Sequence, residues 1–223
     1  MKKWLGLFGV FGLSLALIAG GAAAQVKSSG GYATLPSPQP VETGAKIEVI
    51  EFFWYGCPHC FDLEPNLKKW MAKLPKDVEM RRVPAIPHPR WAPGARTYYT
   101  LEALGELDRL HGEVFEAIHI QRANLADEMT QLDWMAKRGV DRRKFTEASN
   151  SFSVQSKIRR ASQLSQNYPL FVDKFVDGHS VGVPSFIVDG KYLTSASIAG
   201  GPDAMFRTLD SLIAKARAER GKK

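Results

Sequence analysis

Cysteine is nearly absent from this chain. Two of its 223 residues are cysteines, and both stand in one nonapeptide, FWYGCPHCF, at residues 53–61. A framework of several disulfides is thereby excluded. The histidines beyond that stretch, His88, His111, His119 and His179, are scattered and make no H-x₃₋₅-H pair, so a zinc site of the usual spacing lacks its second half. No uncharged run after residue 24 approaches membrane-spanning length. Neither sign of charge dominates, with 30 basic residues against 23 acidic ones and a net charge of +7. The pairs Arg81-Arg82, Arg142-Arg143 and Arg159-Arg160 lie far apart and beside no array of aromatic residues. That argues for a solvated basic surface and against nucleic-acid binding. Internal repeats are missing as well.

What is present begins with a leader. Lys2 and Lys3 precede an uncharged run, residues 4–24, that closes on Ala22-Ala23-Ala24 before Gln25. A cationic start, an apolar stretch and a small-residue end read as a secretory signal peptide over residues 1–24, cleaved on export. About 20 apolar residues also suffice to span a bilayer, but residues 19–24 are too small and weakly apolar for a stable span. The mature chain is therefore expected where disulfides persist. Its roughly 199 residues are enough for one core carrying an inserted subdomain.

Residues 25–45, with SSGGYATLPSPQP, read as an extended lead. KIEVIEFFWY (46–55) is β-branched, aromatic and almost continuously apolar, the pattern of a buried central strand. After the cysteines, FDLEPNLKKWMAKL sets Leu63, Leu67, Trp70, Met71 and Leu74 on one helix face, and Pro65 is expected to kink that helix without ending it. VEMRRVPAI is a second strand. The spacing then turns helical: ARTYYTLEALG ends on Gly105, and LDRLHGEVFEAIHIQ spaces Leu107, Leu110, Val114, Phe115 and Ile118 at helical intervals. DEMTQLDWMAKRG stops at Gly139, Asp141 caps the next helix, and another covers residues 152–166. Strands return in VPSFIVDGKYLTS, with Asp189-Gly190 as a hairpin turn. A last helix from Pro202 is expected to bury Phe206, Leu209, Ile213 and Ala216. The order predicts an α/β fold: one small sheet with its helices from residues 46–89 and 179–223, interrupted by a helical insertion at 90–178.

Three uses are open to two thiols three positions apart. A disulfide closing so short a loop constrains the unfolded chain by only roughly 2 kcal/mol, against about 3 for a fifteen-residue loop, which makes a poor staple. A metal site formed by Cys57, Cys60 and His59 lacks further ligands. Haem attachment needs a histidine where Phe61 stands. A redox couple makes sense of the neighbours. Gly56 leads from a buried strand to Cys57 at a helix N-terminus, and Pro58 takes the first helical position, where a missing N–H costs nothing. The backbone N–H groups of His59 and Cys60 can then face the Cys57 sulfur and favour its anion, while Cys60 lies one turn further in. The dipole alone supplies at most about 2 kcal/mol, so direct hydrogen bonds and the imidazole of His59 are expected to supply the remainder.

EFFWYGCPHC followed by DLEPNL, together with TYYTLEALG and GVPSFIVDGKY, resembles the DsbA family of periplasmic thiol:disulfide oxidases over most of the chain beyond the leader. The resemblance implies a thioredoxin fold with an inserted all-helical domain. It implies a periplasmic oxidase that donates a Cys57–Cys60 disulfide to newly exported, unfolded proteins with free thiols. It also implies a monomer without a cofactor, reoxidised by a quinone-linked inner-membrane protein. On the same footing Pro184 forms a cis peptide with Val183 and faces the disulfide. Glu51 is a buried acid that assists proton transfer at Cys60, and Glu64 is a helix acid of smaller electrostatic effect. Arg82 stands about where many relatives carry Lys, as a candidate partner for Glu51. One departure is NYPLFVDKFVDGHSV, longer than the usual connection into the proline loop, which is expected to reshape the groove beside the disulfide. Two alternatives share some of these features. A disulfide reductase or isomerase would usually add a dimerisation domain, for which residues 25–45 are too short. A metal-binding chaperone would use the thiols as ligands.

Overall fold

The computed structural model describes residues 25–221; the leader expected at residues 1–24 lies outside them. The lead does more than extend. Ser28–Ser29 (β1) and Tyr32–Thr34 (β2) pair antiparallel around Gly30 and Gly31, whose φ values of 62° and 81° suit a tight Gly-Gly hairpin. This corrects the expectation for residues 25–45. Ile47–Phe53 (β3) has all seven residues buried, as its near-continuous apolar run predicts. Pro58–Met71 (α1) follows and runs through Pro65, and Val78–Pro84 (β4) pairs parallel to β3.

The helical block comprises α2 (Ala92–Ala103), α3 (Leu107–His119), α4 (Glu128–Ala136), α5 (Arg142–Ser149) and α6 (Phe152–Asn167). Its boundaries follow from caps. Asp127, Asp141 and Ser151 each accept a backbone N–H of the first turn of α4, α5 and α6, a contribution of about 1 kcal/mol apiece. Ser185–Val188 (β5), Tyr192–Thr194 (β6), Ala196–Ala199 (α7) and Pro202–Arg220 (α8) complete the chain. The β5–β6 turn has Asp189 and Gly190 at φ 53° and 66°, the two positive values that a type I′ hairpin needs.

The six strands lie in the order β1-β2-β6-β5-β3-β4. On one face α1 and α8 pack Leu63, Leu67, Met205, Leu209 and Ile213 against Val49, Phe186 and Val188. Met205 rather than Phe206 fills the core there; Phe206 is only partly buried and lies beside Trp70. On the other face Ile50, Phe52, Ile187 and Leu193 meet Tyr98, Leu101, Ala161 and Leu164 of the helical block. The chain thus forms a thioredoxin-like sheet carrying a helical insertion, with β3 covered from both sides.

The stretch after α6 ties three parts together. Leu170 O accepts from the N–H groups of Val181 (3.1 Å) and Gly182 (2.8 Å). Val26 N–H donates to Phe175 O, and the Asp177 carboxylate accepts from the Ser28 N–H (3.2 Å) and hydroxyl. The lead, the connection and the loop before Pro184 therefore hold one another.

Candidate active site: the CPHC turn and its surroundings

Strand β3 ends at Phe53, and a turn over residues 54–57 is closed by Cys57 N–H donating to Trp54 O at 2.9 Å. Trp54 stacks on Trp91, with ring centroids 4.2 Å apart and planes 11° from parallel. A Cβ on residue 56 would strike the Trp54 indole, so glycine is required there for space. Cys57 takes the N-cap of α1 in extended geometry (φ −90°, ψ 117°) with Pro58 at the first helical position. A sulfur stands where a capping oxygen would: the His59 and Cys60 N–H groups favour its anion without closing to an ordinary capping bond.

Both cysteines are free thiols, so this is the reduced state. The Cys57 thiol is brought down to about 6. The largest cause is the Cys60 thiol donating to its sulfur; the backbone N–H groups of Cys60 and His59 and the charge of His59 add to it, and burial opposes it. His59 itself is exposed. Cys60 moves far the other way, because burial penalises its anion and Cys57 already holds the negative charge. Adjacent thiols in one tetrapeptide thereby acquire opposite characters.

Across from them the Val183–Pro184 peptide is cis. Val183 O lies 3.4 Å from Cys57 Sγ and accepts from the thiol when it is protonated. A groove of about 460 Å³ opens beside it, lined by His59, Leu63, Asn66, Val181, Val183 and Pro184 among others. Val181 belongs to the connection expected to shape this groove.

Glu51 is 1% exposed and stands directly across the ladder from Arg82. Arg82 Nε lies 3.3 Å from its Oε2, close enough for an ion pair but not aligned as a hydrogen bond. Burial outweighs the attraction of Arg82 and raises the Glu51 carboxyl to about 7. It lies near enough to Cys60 to oppose ionisation there. Arg82 also donates to Glu64 Oε1 at 2.7 Å.

Sequence reasoning missed the other end of this network. His111, buried on α3, contacts Arg82, approaches Glu64 Oε1 at 3.3 Å and meets the Tyr55 hydroxyl at 2.8 Å. His119, also on α3, donates its Nε2–H to Tyr55 O at 2.8 Å. Phe115 lies between them, 4.9 Å from the Tyr55 ring. The signal was there: His111, Phe115 and His119 recur every fourth residue, the period of one helix ridge. Spaced eight residues apart, however, the two histidines read as an ordinary helix face until the tetrad turn is placed against it. Among the described residues no three His, Cys, Asp or Glu side chains converge as metal ligands would.

Comparison with known proteins places this geometry in a family. A family model of the DSBA-like thioredoxin domain matches residues 90–211. The thiol:disulfide interchange protein DsbA of Pseudomonas aeruginosa is 40% identical over 187 residues, covering 84% of each chain. That of Azotobacter vinelandii is 37% identical over 195 residues, covering 87% of this chain and 86% of the relative. The crystal structure of Pseudomonas aeruginosa DsbA superposes with a TM-score of 0.78 at 39% identity, over 86% of this chain and 95% of that one. Reduced DsbA1 from Neisseria meningitidis gives 0.74 at 26% identity, over 90% and 100%. By sequence, by fold and by the chemistry its two thiols are set up to perform, the chain belongs to the DsbA family of thiol:disulfide oxidoreductases.

Proposed function

We propose that the Cys57–Cys60 disulfide is donated to unfolded exported proteins, with Cys57 as the sulfur attacked. The observation that carries this is the split between the two thiols: Cys57, 8% exposed and within 3.4 Å of Val183 O, is the acidic one, while Cys60, 1% exposed, has its thiol pushed far up. A substrate thiolate bonds to Cys57 Sγ as the Cys57–Cys60 bond breaks, and the electron pair leaves on Cys60. Cys60 takes a proton, for which the buried Glu51 carboxyl, raised to about 7 and close enough to act on Cys60 through its charge, is the source we assign. A second substrate thiolate then bonds to the first substrate sulfur and expels Cys57 as a thiolate. The substrate loses two electrons; the enzyme pair gains them. Because Cys57 is a stable anion, it leaves readily and the reduced enzyme lies low in energy.

His59 adds positive charge beside that anion. The Val183–Pro184 loop offers backbone to an extended substrate segment across the groove. Turnover needs an external oxidant, for which the reading is a quinone-linked inner-membrane protein, as the resemblance to the family implies. The same reading, with the leader expected at residues 1–24, is of a periplasmic monomer. Among the described residues no helix is long and apolar enough to cross a membrane. The relatives compared are all named for disulfide interchange, which does not favour the metal-binding alternative.

Two measurements test this. Equilibration with glutathione buffers is expected to show an oxidising couple; a value as low as that of a structural bridge contradicts the reading. Cys60→Ala, its Cys57 thiolate offered a substrate that already carries a disulfide, is expected to accumulate the mixed disulfide by exchange, since no second enzyme thiol can resolve it; its absence would remove Cys57 as the sulfur that bonds to substrate.

A further inference from the structure

His119 touches the cysteine tetrad on both flanks. Its Nε2–H donates to Tyr55 O, two residues before Cys57. Its ring lies flat on Phe61, the residue after Cys60, with centroids 5.1 Å apart and planes 9° from parallel. A carbonyl oxygen only accepts, so the proton on Nε2 is assigned by its partner. Phe115, one turn earlier on α3, packs on both Tyr55 and Phe61, but only through its ring; His119 adds a hydrogen bond to the backbone of the turn.

The Tyr55 carbonyl belongs to the central peptide of the 54–57 turn. In a β-turn that peptide separates type I from type II, and type II requires positive φ at the third residue. Here the third residue is Gly56, whose φ is not positive. The turn is therefore in the type I sense, at a position whose residue would tolerate the flip. Glycine accepts either sense, and the His119 hydrogen bond to the Tyr55 oxygen favours the one observed. The turn leads directly into Cys57, whose carbonyl accepts the first N–H groups of α1, from Cys60 at 3.1 Å and Phe61 at 3.2 Å. A loosened turn would spread Cys57 over positions in which the His59 and Cys60 N–H groups no longer face its sulfur.

We propose that His119 is a positioning residue for the redox reaction: by pinning the Tyr55–Gly56 peptide it holds Cys57 where the helix N-terminus stabilises its thiolate. The helical half would then act on the chemistry through one imidazole, besides covering the sheet. This inference rests on the reading of Cys57 as the reactive, acidic thiol.

The two contacts of His119 can be separated. His119→Phe keeps an aromatic ring on Phe61 and loses the donor. His119→Gln keeps an N–H donor at a similar reach and loses the ring. Cys57 acidity is read from thiolate ultraviolet absorbance against pH, and oxidising strength from the equilibrium constant with glutathione. Loss of the pin is expected to cost about the equivalent of one hydrogen bond, roughly a fivefold drop in that constant with a matching upward move of the Cys57 titration, in His119→Phe alone. His119→Gln should remain near the wild type. The inference is overturned if His119→Phe behaves as the wild type, or if His119→Gln is impaired as much as His119→Phe, which would make the ring contact the operative one. Should His119→Phe fail to fold, His119→Leu, which loses the donor, takes its place: an unmoved Cys57 titration there overturns the inference, and a rise that His119→Gln does not share supports it. An ordinary titration of Cys57 in the wild type would instead remove the underlying reading, and this inference with it.

Discussion

Cys57 and Cys60 differ in acidity because the Cys60 thiol and the first amide protons of α1 face the Cys57 sulfur, while Cys60 lies where water is excluded. Ionisation of Cys57 is easier in the fold, at about 6, than in an unfolded chain, at about 8.5. Its contribution to the stability of the reduced form is complete above about pH 8.5 and is lost as pH falls through about 6. The oxidised form has no such titration. Paired thermal melts should therefore show the excess stability of the reduced over the oxidised protein shrinking between about pH 9 and about pH 5; a constant gap would contradict it. Glu51 has the opposite sign. Its carboxyl is raised to about 7, so it is protonated at mildly acidic pH and gives up its proton near neutrality. Glu51→Gln is expected to slow the reaction of the oxidised protein with a dithiol by about tenfold to a hundredfold, and to remove the inflection near pH 7 from the rate profile measured by stopped-flow fluorescence. The position of Cys57 at a helix start was legible from Gly56, Pro58 and the preceding strand. Glu51 was not, because a glutamate in a strand reads as polar until the covering of both faces is known; only family likeness singled it out.

At the level of elements, β3 carries two glutamates through a fully buried strand, each answered from β4. Glu48 is completely buried and accepts from Arg81 at 2.7 Å, while Arg81 also reaches Glu42 at 2.7 Å. Removing one partner of such a pair leaves an uncompensated charge, whereas removing both costs far less. Arg81→Leu should lose about 3 kcal/mol in urea denaturation, and the double variant Glu48→Leu/Arg81→Leu should regain most of it. If the two variants are equally unstable, the pair is not what matters. KIEVIEFFWY announced a buried strand, yet which arginine meets which glutamate depends on the parallel register, Glu51 opposite Arg82, and register is set by packing that periodicity does not encode. The lead shows a related limit. Its Gly-Gly turn was visible in the letters, but β2 gains a place in the sheet only by pairing with β6, Ala33 opposite Leu193, far along the chain. The caps at Asp141 and Gly139, by contrast, were readable because they are local.

For the whole molecule, the two halves meet along the α3 ridge and again where the lead meets the connection after α6. Asp177 is the knot of that second seam, accepting from Ser28 through backbone and hydroxyl. Asp177→Ala should cost about 1 kcal/mol of stability and speed amide hydrogen exchange at Val26, Val181 and Gly182 together; faster exchange at Val26 alone would show that the seam does not reach the proline loop. The helical block is built from neighbours in sequence and was legible as such. The redox half is not: β3 lies between β4 and β5, Val183 O reaches Cys57 across 126 positions, and α1 finds its core partners in α8. A short isolated helix is marginal in water, and such distant pairings form late. A chain emerging from its N-terminal end therefore presents an ordinary dithiol until its last hundred or so residues arrive. During that interval a newborn copy is expected to be a customer for the finished ones, each generation of the oxidant open to oxidation by its predecessors before it can oxidise anything itself.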